Sequence, residues 1–207
     1  MKQLLLVLLA VCFTSAVVQA ELVIDDFTIP TLNGALDDDI AGTRTVTTTG
    51  SAVMTVDGVG GATFTGGLFS PSRIDINYVF TTAFNMDAPG GQFSTLMVDL
   101  FDTVTGNWSL EAFFTNSAAF QVNVGPSVVS TPGARAFYSA SLPVAVATDV
   151  KEIKLRLVRL TSGATITSSG GLVAAVPEPT SFALLGLTGL GGWFAARRRV
   201  KKTETVV

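Results

Sequence analysis

Apolar and polar residues alternate with a period of two through much of the chain between residues 21 and 176. No stretch in this part keeps a helical apolar period for three turns, and Gly, Pro, Thr, Ser and Asp interrupt it about every ten residues. A period of two places successive side chains on opposite faces of a β-strand. With no helix to cover a parallel sheet, the pattern predicts an all-β fold, an antiparallel β-sandwich.

Residues 150–160 are the clearest strand, because aliphatic side chains at 153, 155 and 157 alternate with charged ones. The charged face is predicted to point to solvent and to carry four basic residues. It is either an ordinary solvated sheet face or a basic stripe for an anionic glycan. The four residues are Lys151, Lys154, Arg156 and Arg159.

Residues 93–100 and 107–114 are predicted to form a β-hairpin, with the turn at residues 102–107. Each of the two segments has apolar residues at every second position, as one buried face requires. Further strands are predicted at residues 22–27, 43–49, 52–56, 74–80, 120–124, 135–138 and 165–174.

The first 20 residues have the pattern of a secretory signal peptide. Lys2 precedes an apolar run at residues 4–13 that is too short for a stable membrane anchor, and small residues follow it. Cleavage is predicted between Ala20 and Glu21. The rest of the chain is therefore expected to fold outside the cytoplasm.

Residues 176–202 combine three features in a fixed order. Val176-Pro177-Glu178-Pro179 is held extended by its prolines, an uncharged helix of residues 181–196 follows, and Arg197, Arg198, Arg199, Lys201 and Lys202 form a basic cluster. Sixteen helical residues reach about 24 Å, somewhat less than a ~30 Å hydrocarbon core, and the flanking basic residues can close the gap. The basic cluster is expected to stay in the cytoplasm.

This tail resembles the PEP-CTERM sorting signal of bacterial exported proteins. The resemblance implies that the helix holds the exported precursor in the inner membrane until an exosortase processes it at or near the Pro-Glu-Pro motif. It also implies a cell-surface or matrix destination associated with exopolysaccharide and biofilm. A plain C-terminal membrane anchor is the alternative.

Between the two ends the sequence predicts a domain at residues 21–160 and a Thr/Ser/Gly-rich stalk at residues 161–176, before the sorting and anchor segment at 177–202. The opening Ile24-Asp25-Asp26-Phe27 also resembles the start of galactose-binding-like jelly rolls, a sandwich used by several carbohydrate-binding modules. That resemblance implies a jelly-roll-like sandwich; other sandwich topologies stay open.

Composition excludes several chemistries. Residues 21–176 hold seven basic and 14 acidic residues, a net charge of −7, which disfavours binding to nucleic-acid phosphates. The sequence has no histidine, and its one cysteine, Cys12, lies in the signal peptide. Nucleophilic systems with His, zinc sites with His or Cys ligands, and haem and Fe–S ligation by these residues are therefore excluded.

Carboxylates are the remaining candidates for chemistry. Asp37, Asp38 and Asp39 form the densest acidic run, and with Asp25, Asp26 and Asp57 they are candidate oxygen ligands for calcium or simply a solvated acidic loop. No other cofactor is predicted. Asp99 and Glu111 would approach each other on facing strands of the predicted hairpin, as an acid–base pair for glycoside hydrolysis or as ordinary polar surface residues.

Two aromatic residues are candidate platforms for sugar stacking, Trp108 and Tyr138. Trp108 shares a face with apolar neighbours, which favours a place in the core. Taken together, the sequence predicts an exported, non-catalytic surface or matrix protein that associates with exopolysaccharide. A carboxylate-dependent carbohydrate-active enzyme and a purely structural envelope protein are the alternatives.

Overall fold

The computed structural model of the chain describes residues 21–36, 39–68, 72–86 and 95–175. These residues form fourteen β-strands, a 3-10 turn at Ser139–Ser141 and one short helix, α1 (Val144–Ala147). The strands are β1 (Glu21–Asp25), β2 (Gly34–Leu36), β3 (Gly42–Thr49), β4 (Val53–Val56), β5 (Ala62–Thr65), β6 (Arg73–Phe84), β7 (Thr95–Val98), β8 (Thr103–Thr105), β9 (Trp108–Asn116), β10 (Gln121–Val129), β11 (Arg135–Tyr138), β12 (Val150–Arg159), β13 (Thr165–Ser168) and β14 (Leu172–Ala175). The predicted all-β fold is confirmed.

Six strands form the larger sheet, in the order β10-β9-β12-β6-β3-β2. Every neighbouring pair in it is antiparallel. The pairing of β12 with β9 and with β6 shifts register between Val150 and Glu152, so a bulge marks the start of β12. The long strands β6, β9 and β12 make the centre of this sheet.

Two four-stranded antiparallel sheets form the second layer, in the orders β1-β14-β7-β11 and β4-β5-β13-β8. The chain passes from one to the other twice, between β7 and β8 and between β13 and β14. Hydrogen bonds join the two crossings: the Asp99 N–H donates to the Gly171 carbonyl at 2.9 Å, and Asp102 accepts the Ser169 hydroxyl and N–H. The two small sheets therefore continue one another.

One hydrophobic cluster fills the space between the layers. The inward positions of β6, β9 and β12 are buried at every second residue, as the period-two pattern predicts. Phe114 of β9 meets Phe137 of β11 edge to face across the interior, with ring centroids 6.2 Å apart. The second layer thus shields the apolar face of the larger sheet from water.

The predicted hairpin of residues 93–100 and 107–114 is wrong. β7 pairs with β11 and β14, whereas β9 pairs with β10 and β12, so the two strands lie in different sheets. The unpredicted strand β8 lies between them in sequence. Alternation determines which side chains face the core, but it does not choose the strand that supplies the hydrogen bonds.

Most other predicted strands are present. Those predicted at residues 22–27, 43–49, 52–56, 74–80, 120–124 and 135–138 correspond to β1, β3, β4, β6, β10 and β11, and residues 150–160 to β12. The single strand predicted at residues 165–174 is two strands, β13 and β14. Arg159 does not share the solvent face of β12, because it is buried on the same side as Leu155 and Leu157. β2, β5 and β8 were not predicted, and each has only three or four residues.

The predicted stalk is also wrong for the part that the structure describes. β13 and β14 are integral strands of the two small sheets, and Ala164, Ile166 and Leu172 are buried. An added Cβ at Gly171 would lie 1.8 Å from the backbone oxygen of Asp25, so only glycine fits where this segment passes β1. The small polar residues of the segment belong to exposed sheet positions.

The terminal predictions fall mostly on residues that the structure does not describe. The signal peptide, the sorting motif Val176 to Pro179, the helix at 181–196 and the basic cluster at 197–202 lie outside the described residues. Within the described ranges, no helix is long and apolar enough to cross a membrane.

Candidate functional site

The predicted calcium ligands that the structure describes do not converge. Asp25 is buried, and its carboxylate accepts bonds from Arg44 Nη1, at 2.6 Å to Oδ1 and 2.7 Å to Oδ2. Asp39 Oδ2 accepts the Val23 N–H at 2.9 Å, and Asp37 and Asp38 lie outside the described residues. Among the residues that are described, no three Asp, Glu, His or Cys side chains are placed to hold a metal ion together.

The Asp26 carboxylate accepts hydrogen bonds from within its own turn. Its Oδ1 accepts the Thr28 hydroxyl at 2.6 Å and the Thr28 N–H at 2.9 Å. Burial raises the pKa of the Asp26 carboxyl, but the bonds from Thr28, the Asp26 N–H and the positive charge of Arg44 together outweigh it, so the pKa lies below its ordinary value.

Asp99 and Glu111 are not on facing strands, contrary to the prediction of an acid–base pair. Asp99 follows β7 in the second layer, and Glu111 lies within β9 of the larger sheet. Glu111 Oε2 is 3.7 Å from Nη1 of Arg156. The two carboxylates therefore lie in different local environments of the fold.

The partly exposed cations of the predicted basic stripe on β12 have partners within the sheet. Arg156 Nε donates to Asp75 Oδ1 at 2.8 Å, and its guanidinium lies 4.8 Å from the ring centroid of Phe113. Lys154 Nζ lies over the same ring at 4.7 Å, and Lys151 donates to the Thr81 carbonyl at 2.8 Å. These cations are engaged by the surrounding sheet, which agrees with the interpretation as an ordinary sheet face.

The two candidate stacking residues have opposite positions. Trp108 is fully buried at the start of β9, so it belongs to the core and offers no exposed ring. Tyr138, the last residue of β11, keeps 57% of its surface exposed and remains available for contact with a sugar.

An array of threonines covers the outer face of the sheet β4-β5-β13-β8. Three of its strands contain Thr-x-Thr, with an inward apolar residue between the two threonines, and β4 contains Val-x-Thr. The register aligns these positions in two rows across the sheet. One row is Val53, Thr65, Thr165 and Thr105; the other is Thr55, Thr63, Thr167 and Thr103.

This array, the threonine face, places hydroxyl and methyl groups at regular intervals. Neighbouring strands lie about 4.8 Å apart, and outward residues on one strand repeat at about 6.7 Å. Thr105 and Thr165 already bond to each other, with their hydroxyl oxygens 2.7 Å apart. The face thus offers hydrogen-bonding groups that β-structure holds in place.

A shallow groove of about 440 Å³ lies at one end of the threonine face. The Asp57 carboxylate beside it is fixed by its loop, because Oδ1 accepts the N–H groups of Val59 at 2.9 Å and Gly61 at 2.8 Å. The groove is lined by Thr55, Val56, Asp57, Gly61, Ala62, Thr63, Thr167 and Ser168. Hydroxyl, carboxylate and backbone groups thus converge on one depression.

The threonine face and its groove are not apparent from the sequence. The three Thr-x-Thr segments are visible in the sequence, but they are separated by dozens of residues. Only the pairing of β13 with both β5 and β8 makes them neighbours. The residues of the predicted stalk therefore supply the centre of the array.

Residues 175–199 match the PEP-CTERM protein-sorting motif. No curated protein sequence matches the chain. The chain is an exported protein with a C-terminal sorting signal, built on an antiparallel β-fold. The signal is of the PEP-CTERM type, which implies processing by an exosortase.

Several solved structures are similar in fold. The family 11 carbohydrate-binding module of the cellulosomal cellulase Lic26A-Cel5E of Clostridium thermocellum is 11% identical, with a TM-score of 0.43 over 77% of this chain and 96% of the module. The protein PfGH50B is 8% identical with a TM-score of 0.44, and an exo-beta-agarase is 10% identical with a TM-score of 0.42. The chain spans 23% and 25% of these two proteins, which match 65% and 76% of it, respectively.

Proposed function

We propose that this protein is delivered to the cell surface or extracellular matrix, where its jelly-roll-like β-domain binds a neutral exopolysaccharide without catalysis. The precursor crosses the inner membrane, is held there by its C-terminal helix and is processed by an exosortase. The threonine face and its groove are the proposed binding surface, and they are the observation that carries the proposed binding function.

The tail supports the proposed delivery. Pro177 and Pro179 disfavour helix at and before them, which favours an extended peptide of the kind that an enzyme can bind. The described domain ends at Ala175 in β14, directly before this peptide. A folded exported domain, a short extended recognition site and an apolar segment then follow one another without a long linker.

The threonine face supports binding of a glycan. A threonine hydroxyl both donates and accepts hydrogen bonds, which matches sugar hydroxyls, while its methyl group contacts the apolar C–H surface of a sugar ring. The face consists of sheet positions, so little side-chain or backbone freedom is lost on binding. Asp57 adds a fixed carboxylate that can accept a sugar hydroxyl.

Charge favours a neutral polymer over an anionic one. Residues 21–176 carry a net charge of −7, and no basic residue lines the groove. An acidic domain repels an acidic polysaccharide over about one Debye length, ~8 Å in physiological salt. A neutral glycan avoids this cost.

The binding test compares full-length protein variants in a pull-down on neutral exopolysaccharide from the producing cells. Thr63→Val and Thr167→Val together remove two groove hydroxyls and keep the side-chain shape, so we expect retention to fall at least about tenfold. The matched control is Thr45→Val with Thr47→Val, two exposed threonines of β3 on the larger sheet. Equal retention of both double variants and the wild type would refute the threonine face as the binding surface.

The delivery test is separate. Replacing Pro177 and Pro179 with alanine should leave unprocessed precursor of full C-terminal length in the membrane fraction, as measured by intact mass. Pro132→Ala, in a loop of the domain, is the control and should be processed normally. Wild-type protein recovered at the surface with its last 30 residues attached would contradict the proposed sorting route.

A further inference from the structure

Arg159 and Trp108 are directly opposite each other on β12 and β9. Both point into the interior: Arg159 keeps 6% of its surface exposed and Trp108 none. The aliphatic part of Arg159 lies on Gly66, just beyond β5, where an added Cβ would be 2.4 Å from Arg159 Cδ. The arginine side chain therefore crosses from the larger sheet to the second layer.

Three N–H groups of this pair are buried without an acceptor in the part of the chain that the structure describes. They are Nε and Nη1 of Arg159 and Nε1 of Trp108. A buried donor without an acceptor loses its hydrogen bond to water and gains nothing in return. Opposite residues of paired strands have Cβ atoms about 5 Å apart, so the two side chains start from neighbouring positions on the same face of the sheet.

Arg159 also has no counter-charge among the residues that the structure describes. No ion pair within the described ranges includes it, although Arg44, the other buried arginine, is paired with Asp25. A buried cation without a counter-charge is strongly unfavourable, and arginine cannot avoid the cost by losing its proton. The region thus needs both acceptor oxygens and negative charge.

We propose that Arg159 and Trp108 form a binding site for a small oxyanion of the carboxylate or sulfate class. Such an ion supplies both missing features, and the planar guanidinium matches its geometry. The small exposed fraction of Arg159 limits the ligand to a free ion or to an acidic group at the edge of a larger molecule. The site lies beyond Thr65, at the opposite end of β5 from the groove, and is independent of the proposed binding of neutral glycan.

The test measures thermal unfolding of the full-length protein in detergent. Sodium formate is titrated against sodium chloride at equal ionic strength, and polygalacturonate against dextran at equal mass. Wild-type protein should show a saturable rise in Tm with formate of about 5–10 °C at a hundred times Kd. Arg159→Met, which keeps most of the aliphatic stem, should lose the rise.

Two further variants separate binding from folding. Trp108→Phe keeps the arginine and removes only the indole N–H from the donor set, so formate binding should weaken about tenfold. Arg135→Met is the matched control, because the Arg135 guanidinium already donates to carbonyls of Gly133 and Thr131. This variant should respond as wild type does.

The outcomes are distinct. A response to formate alone identifies a free ion as the ligand, and a response to polygalacturonate but not dextran adds a polymer-borne carboxylate. A wild-type protein with no saturable response would show that water alone satisfies these donors, and an equal response in Arg159→Met would place the anion elsewhere. Either result overturns the site and leaves the proposed glycan function untouched.

Discussion

Arg44 of β3 and Asp25 of β1 form an ion pair inside the domain, with Nη1 2.6 Å from Oδ1. The Tyr78 hydroxyl donates to Asp25 Oδ2 at 2.9 Å, and Arg44 Nη2 donates to the carbonyls of Ile29 at 3.0 Å and Thr31 at 2.6 Å. The pair links the larger sheet to the second layer. It satisfies a buried cation that would otherwise be very costly.

Removing one partner of this pair should destabilise the protein strongly. Asp25→Ala leaves the Arg44 charge buried and unpaired, and we expect a loss of about 3–5 kcal/mol in the free energy of unfolding. Urea unfolding of the purified protein measures it. The double variant Asp25→Leu with Arg44→Met should recover much of the loss, since it buries no charge; if it is no more stable than the single variant, the charge explanation is wrong.

Gly171 provides a steric test of the last two strands. Gly171→Ala places a methyl group against the backbone oxygen of Asp25, and we expect a loss of about 3 kcal/mol or more because backbone must move. Gly34→Ala is the control, because its nearest contact would be Thr31 Oγ1 at 3.2 Å, and it should change stability by less than about 1 kcal/mol. Equal effects of the two substitutions would mean that residues 161–175 are a loose stalk after all.

Trp108 should behave as a core residue. In a Trp193→Phe background its emission should be blue-shifted, little quenched by acrylamide and unchanged by exopolysaccharide, because the ring is fully buried. Trp108→Ala should cost about 3–5 kcal/mol. A glycan-dependent change in emission would show instead that the indole contacts the ligand.

The ionisation of the Asp26 carboxyl makes the stability of the folded protein depend on pH. Its folded pKa is lower than its unfolded pKa, so the carboxylate stabilises the protein above the unfolded pKa, about 3.9, and this stability is lost as pH falls through the folded pKa. Thr28→Val removes one bond to the ionised form and should move the pKa upward. Titration of the Asp26 carboxyl by NMR measures the change, and an unaltered pKa would contradict the role of the Thr28 hydroxyl.

The sequence predicts a strand correctly where burial alternates over several residues. In β12 the aliphatic residues from Ile153 to Leu157 are inward as predicted, and the same period places Arg159 inward despite its charge. The prediction of a hairpin was wrong because of strand pairing. The alternation within a strand shows which residues are buried, but it does not show which strand will pair with it. β7 pairs with β11 and β14, which are distant in the sequence.

The candidate sites also depend on long-range strand pairing that the local sequence does not show. The threonines of the array are ordinary exposed strand residues in each separate segment, and they become a surface only through long-range pairing. Asp25 looked like an oxygen ligand because nothing near it in sequence reveals Arg44, which lies 19 residues away. Burial then decided its role.

The sorting signal of this protein lies in contiguous residues, 175–199, and is recognisable from the sequence because a processing enzyme acts on a short local segment. The β class is local too, since side-chain alternation is a property of each strand alone. Strand partners, the threonine face, the Arg44–Asp25 pair and the lack of a counter-charge for Arg159 among the described residues arose only from tertiary structure. They depend on which distant segments share hydrogen bonds and exclude water from one another.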